Sequence, residues 1–250
     1  MDQAGTVAPE QNEPTEPLRI LIMAAHPDDI DFGNAGSVAT WTGQGHEVVY
    51  CLVTDGDAGG YDEGISRPDM ATLRRDEQRA AAKVLGVTEL HFLGWPDGRL
   101  YVTHELRRDL TRVIRQVRPD RVVTQSPTRN LRSMYGSHPD HTATGEAVLC
   151  AVYPDARNPF AHPELLADEG LTAHTVSEVW ISHSGEGADV YVDTTDAYES
   201  KIAALRAHES QTAHMDDLRG RMWAWGRSQA KAAGFGPDRL AEGYLVLDTR

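Results

Sequence analysis

Short apolar runs alternate with segments of helical period along most of this chain, and that rhythm restricts its fold more than any other feature. The runs are 18–24, Glu47 to Val53, Glu89 to Leu93 and Arg121 to Gln125. Each is short enough for a strand and dominated by Val, Ile and Leu. Between them, Asn34 to Gly45, Asp69 to Leu85 and His104 to Val117 carry apolar residues at helical spacing. Gly45 and Gly86 close the first two helices, and Arg118-Pro119-Asp120 breaks the third. Strand and helix in regular succession imply right-handed crossovers, hence an α/β fold with a mostly parallel sheet flanked by helices.

Beyond Gln125 the order loosens into a C-terminal extension of strands and helices. A long loop, Ser126 to Ser137, precedes a helix from Asp140 to Val152, and 153–175 is an aperiodic segment expected on the surface. Strands are predicted at Val176 to Ser182 and Asp189 to Asp193, and helices at Asp196 to His208 and Met215 to Ala233. Gly243 to Leu247 reads as a short final strand or an extended tail. No repeat or linker divides 18–250, which reads as one domain behind a disordered Glu-, Pro- and Gln-rich tail, 1–17.

The charge balance bears on partners. Lys plus Arg is 24 against 38 Asp plus Glu, a net charge of −14. An acidic chain repels phosphate backbones, which argues against nucleic acid. No apolar run is long enough to cross a bilayer, so we expect no membrane partner and a cytoplasmic location. Cys51 and Cys150 lie in apolar surroundings at no zinc-ligand spacing and read as small core residues. Trp223, Trp225 and 153–175 are the candidates for a homo-oligomer interface, or for core.

Two clusters carry chemistry. Ala25-His26-Pro27-Asp28-Asp29 follows the first strand, at the edge where ligands sit in open α/β sheets. Ser137-His138-Pro139-Asp140-His141 lies far along the chain and opens a helix. Each alone has an ordinary explanation: the aspartates as helix caps, the histidines as helix-start residues behind an Asp140 N-cap. Together, both at strand exits, they specify a metal site. Zinc favours imidazole and carboxylate ligands with one position left for water. His26 and Asp29 supply two ligands, and either His138 or His141 the third. Asp28, facing away from Asp29 in an extended loop, is left free as a base, and the remaining imidazole to stabilise an oxyanion.

The two segments, in this order and spacing, resemble the LmbE-like/PIG-L superfamily of zinc-dependent de-N-acetylases, whose signatures Ala-His-Pro-Asp-Asp and His-Pro-Asp-His are matched by Ala25 to Asp29 and His138 to His141. The resemblance covers about 18 to 211. It implies a Rossmann-like fold, zinc (or iron(II)) on His26, Asp29 and His141, Asp28 as general base, and His138 at the oxyanion or leaving amine. Arg74-Arg75-Asp76-Glu77, Gly94-Trp95-Pro96-Asp97-Gly98 and the Lys201-to-Gln211 segment are similar to further family segments. They imply Arg74, Asp97 and His208 near the substrate, with Asp97 on a sugar hydroxyl and Gln211 bordering the site. The sequence departs from the pattern where Ile30-Asp31 replaces an acidic residue and where Gly136 and Ser137 separate Tyr135 from the second signature. Tyr135 remains a substrate-side candidate. The implied activity is removal of an acyl group, most simply acetyl, from a small amino-sugar-containing molecule. The alternatives are an amidase acting on a thiol-conjugated sugar amide and a non-catalytic metal- or nucleotide-binding module. No Gly-x-Gly-x-x-Gly follows the first strand to favour a nucleotide.

Overall fold

The computed structural model describes residues 16–131, 134, 137–184 and 187–249. The expected tail thus lies almost wholly outside the described residues, as do Tyr135 and Arg132. Five strands, β1 (Arg19–Ala24), β2 (Glu47–Thr54), β3 (Glu89–Trp95), β4 (Arg121–Thr124) and β5 (Glu178–His183), run parallel in the order β3-β2-β1-β4-β5. This is the Rossmann order, with its switch point between β1 and β4. Beyond β5, the last strand β7 (Ala241–Asp248) pairs antiparallel to both β5 and β6 (Val190–Asp193). The segment read as a final strand or tail is therefore an internal strand of the sheet.

Successive strand residues point to opposite faces and build two cores. Leu21, Met23, Val49, Cys51 and Val122 pack under α3 (His104–Val117) and α4 (Pro139–Cys150). Ile20, Ile22, Tyr50, Leu52 and Val123 pack under α1 (Asp29–Gly43) and α2 (Arg67–Val84). Helix α3 buries the five in-phase residues predicted for it and begins at Thr103, whose side chain accepts from the Leu106 amide at 3.2 Å. Cys51 is a core residue as expected, whereas Cys150 is only half-buried.

Three boundaries differ in ways that matter. Helix α1 starts at Asp29, not Asn34, because the chain reverses in one left-handed residue, Asp28 (φ 91°), and the acidic first turn then suits a helix N-terminus. Gly36 falls inside that helix, as it does in the span read from the sequence. A Cβ there would lie 2.6 Å from Thr194 Cβ and 2.9 Å from Glu242 Oε1, so glycine is a packing requirement. The 153–175 segment is not merely surface-lying. A kinked turn (Ala151–Ala156), with extended backbone at Tyr153, and the chain leading to a short helix α5 (Pro163–Ala167) are gathered by the buried Arg115, whose Nη2 donates to the carbonyls of Asp155, Asn158 and Ala161 at 2.9–3.1 Å. The C-terminal helices are α6 (Tyr198–Ala207), the short α7 (Glu209–Thr212) and α8 (Leu218–Ala232). No described helix is long and apolar enough to cross a membrane.

Candidate active site

The site forms at the carboxyl edge of the sheet, around the β1/β4 switch point. Its first loop is held from both sides. The Ala25 amide donates to Gln125 Oε1 (2.9 Å) beyond β4, and the Ala25 carbonyl accepts from the Thr54 amide (2.8 Å) and hydroxyl (2.9 Å) on β2. His26, Asp28 and Asp29 therefore leave β1 in a fixed direction. The second cluster arrives with α4, whose start is set by Pro139 in its first turn and by His138 as cap.

Three ligating side chains converge. The Asp29 carboxylate spans the two rings, Oδ2 lying 3.2 Å from His26 Nδ1 and Oδ1 3.0 Å from His141 Nε2. The two ring nitrogens are 3.3 Å apart. Tetrahedral zinc with bonds of about 2.0–2.1 Å places its ligand atoms about 3.3–3.4 Å apart, so these separations fit one small ion. His138 also lies close, its ring 4.9 Å from His26 and 5.3 Å from His141. Its nitrogen, with those of His26 and His141, forms a second geometrically possible ligand set. The hydrogen bonding separates the two. His138 Nδ1 accepts from the Asp140 amide at 3.2 Å, so its neutral ring carries the proton on Nε2 and presents a donor rather than a lone pair.

Behind His26 lie two further carboxylates. Its Nε2 is 3.0 Å from Asp97 Oδ1 and 3.3 Å from Asp140 Oδ2. Asp97 also accepts from the Ala58 amide, and Asp140 from the Gly98 and Leu100 amides at 2.7 and 3.1 Å. A carboxylate on the far nitrogen fixes the tautomer and direction of a metal-binding imidazole. Asp97 is 8 % exposed, and the loop after β3 carries it beneath the His26 ring.

The electrostatics suit a cation. Burial opposes a charged His26 ring, but Asp29, Asp140 and Asp97 outweigh it and hold its pKa well above the ordinary value. Burial likewise opposes ionisation of Asp29, yet His141 and His26 hold it well below the carboxylate range. Asp28 differs. Burial raises its carboxyl to about 6, against the pull of Arg74 and with the push of neighbouring Asp29. For His138, burial lowers the pKa, and the neighbouring His26 and His141 add to that effect.

Two other expected substrate residues sit deeper than foreseen. Arg74, 4 % exposed, donates to the carbonyls of Pro27 and Gly56 and lies 3.1 Å from Asp28 Oδ2. It braces Asp28 from behind because Gly56 and Gly59 leave room for its guanidinium, where a Cβ would collide. His208 is fully buried, its Nε2 2.8 Å from Asp31 Oδ2. Ser210 donates twice to Glu77 at 2.7 Å, which docks the segment carrying His208 and Gln211 onto α2. Gln211 does border the glycine loop, near positions 59 and 60. The sequence reading missed Gln78, Gln125 and the part played by Asp140. Only the i, i+4 spacing of Arg74 and Gln78 on α2 hinted at the first.

The profile described as GlcNAc-PI de-N-acetylase (PIG-L) matches residues 21–152, more than half of the chain. This chain belongs to the PIG-L family. It is 35% identical over 205 residues to a diacetylchitobiose deacetylase of Thermococcus kodakarensis, covering 80% of this chain and 73% of that one. It is 29% identical over 235 residues to a 1D-myo-inositol 2-acetamido-2-deoxy-alpha-D-glucopyranoside deacetylase of a Mycobacterium species, covering 77% and 74%. The structure of N,N'-diacetylchitobiose deacetylase from Pyrococcus horikoshii superposes with a TM-score of 0.84 at 29% identity, over 93% of this chain and 85% of that one. PIG-L membership accounts for both signature segments and for the Rossmann-like sheet that carries them.

Proposed function

We propose that this protein is a zinc-dependent deacetylase that hydrolyses the N-acetyl group of a small amino-sugar substrate to acetate and a free amine. The observation that carries the reading is the convergence of His26, Asp29 and His141, with Asp29 Oδ2 3.2 Å from His26 Nδ1 and Oδ1 3.0 Å from His141 Nε2, beside a half-buried carboxylate, Asp28, that this set leaves free. Its relatives named above deacetylate N-acetylated amino sugars by name, and the acidic site suits a product that leaves as a cation.

His26 Nδ1, Asp29 and His141 Nε2 would hold the ion. A bound divalent zinc supplies Lewis acidity and lowers the pKa of a water ligand from 15.7 to about 7. Asp28 receives the proton as water adds to the amide carbon. An ionised Asp28 can take that proton and, once protonated, can return it. The Nε2–H of His138 faces the developing oxyanion as a donor. As the C–N bond breaks, a proton reaches the amine from Asp28 or from His138, and acetate departs. Asp97 and Asp140 hold the His26 ring, and Arg74 holds the base.

The test combines metal analysis with an acetate-release screen of N-acetylated mono- and disaccharides. One zinc per chain, lost in His141→Ala, with turnover abolished in Asp28→Asn while zinc is retained, is the expected result. Equal metal in wild type and His141→Ala overturns the ligand set. Undiminished turnover in Asp28→Asn overturns the base.

A further inference from the structure

We propose that Gln78, a residue outside both signature segments, is the positioning residue that fixes the backbone of Asp28 and so aims its carboxylate. The proposal rests on Asp28 acting as base in the reaction above.

Asp28 is held in a conformation that residues with a side chain rarely adopt, φ 91° and ψ −27°. Its side chain makes no capping bond to α1. Bonds inside the loop join the Asp29 amide to the His26 carbonyl (3.3 Å) and the His26 amide to Asp29 Oδ2 (2.7 Å); the Asp28 amide and carboxylate are held from outside, by one face of α2. Gln78 Oε1 accepts from the Asp28 amide at 2.9 Å. One helical turn earlier, Arg74 takes the Pro27 carbonyl and the Asp28 carboxylate. Two residues at i and i+4 thus hold the carbonyl before Asp28, its amide and its carboxylate.

The chemistry at position 78 is specific. Gln78 is fully buried, and its Nε2 donates to Asp31 Oδ2 at 2.7 Å while its Oε1 accepts from Asp28. His208 meets the same Asp31 oxygen from the other side. The amide can point only one way: flipped, it would set NH₂ against the Asp28 N–H and oxygen against the Asp31 carboxylate. An apolar side chain would leave the Asp28 N–H buried without a partner. Glutamate keeps that acceptor but sets a second carboxylate against Asp31. The arrangement assigns Gln78 to the geometry of the base, not to sugar or metal binding. It touches neither the ligand atoms nor the open side of the site.

The test compares full-length, zinc-loaded wild type with Gln78→Leu and Gln78→Glu. Amide hydrogen exchange on the peptide containing Asp28 reads the backbone directly. In Gln78→Leu that amide is expected to exchange about tenfold faster or more. Its kcat should fall about 10- to 100-fold with KM nearly unchanged, and zinc should stay at one per chain. Gln78→Glu is expected to keep the protection and recover most of kcat. Unchanged protection at Asp28 in folded Gln78→Leu overturns the proposal, whatever the activity. If Gln78→Leu does not fold, Gln78→Glu decides: protection retained with kcat near wild type supports the role, and protection retained with kcat lost overturns it. Faster exchange in Gln78→Leu beside a wild type that deacetylates no sugar keeps the backbone role and refutes the deacetylase reading instead.

Discussion

Removing the carboxylates behind His26 should weaken metal binding in a pattern that reveals one shared proton. His26 Nε2 has a single N–H, yet two oxygens lie within reach, Asp97 Oδ1 at 3.0 Å and Asp140 Oδ2 at 3.3 Å. One donor split between two acceptors survives the loss of either. Partners of this kind are worth about 10–100-fold in metal affinity. We therefore place each single variant, Asp97→Asn and Asp140→Asn, near the low end, about tenfold or about 1.4 kcal/mol. The double variant should lose about a thousandfold or more, beyond the product of the singles, because the ring is then free to turn. Asp140→Asn carries an extra cost. Both of its oxygens accept backbone amides, and an asparagine can satisfy only one, so the metal-free protein should lose about 1–3 kcal/mol. The assay is competition for zinc against a chelator of known affinity at fixed pH, with metal-free melting measured in parallel. A double variant within threefold of wild type would refute the orienting role. Asp97→Asn as damaging as the double would refute the sharing.

Other expectations follow from buried contacts. Glu242 lies beneath α1 and accepts from the Gly36 and Ser37 amides, the Ser37 hydroxyl and Lys201 Nζ (2.6 Å). Lys201→Met strands that carboxylate. With three donors remaining, a loss of about 3 kcal/mol, or about 6–12 °C in Tm, is expected in thermal and urea unfolding, and a shift under 2 °C would contradict it. Gly36→Ala forces a Cβ onto Thr194 and Glu242 and should cost about 1–3 kcal/mol; an unchanged urea midpoint would show that α1 can move. The pKa of His208 is raised: burial opposes its charge, but Asp31 outweighs it. A raised folded pKa gives stability that is complete below the unfolded value of about 6.5 and is lost as pH rises through the folded one. Wild type should thus exceed Asp31→Asn in stability by more at pH 5.5 than at pH 9, and a pH-independent gap would exclude a charged His208.

The fold was legible where local period and global packing agree. Helix α3 states its buried face in five residues, and β1, β2 and β4 each announce themselves by continuous apolar composition. The start of β7 was not legible, because Ala241 to Gly243 carry no strand-like apolar pattern. Glu242 there is buried by partners in α1, 205 and 206 residues away, and in α6, 41 residues away, that no local window contains. The start of α1 was hidden by Gly33, which reads as a loop residue; Gly36 fell within the predicted helix. Gly36 is small for the sake of Thr194, a reason that exists only once the sheet is complete.

The site divides along the same line. The candidate ligands were visible because metal chemistry demands particular side chains, and those were concentrated in two short segments. The residues that aim them were not, because aiming needs only a hydrogen bond of the right direction from whichever element passes by. Asp97 was singled out as a candidate for a sugar hydroxyl, and its contact with His26, from beneath the ring, is one that the loop's sequence does not announce. Arg74 was singled out as a cation for substrate, whereas the glycines at 56 and 59 let it sink behind Asp28. In both cases the backbone of a neighbouring loop decided the outcome. Helix α2 meets the β1 loop only because β2 follows β1 in the sheet and the crossover folds back over it. The bracing of Asp28 is thus a property of sheet order: the two α2 residues that hold it, Arg74 and Gln78, lie forty-six and fifty residues away.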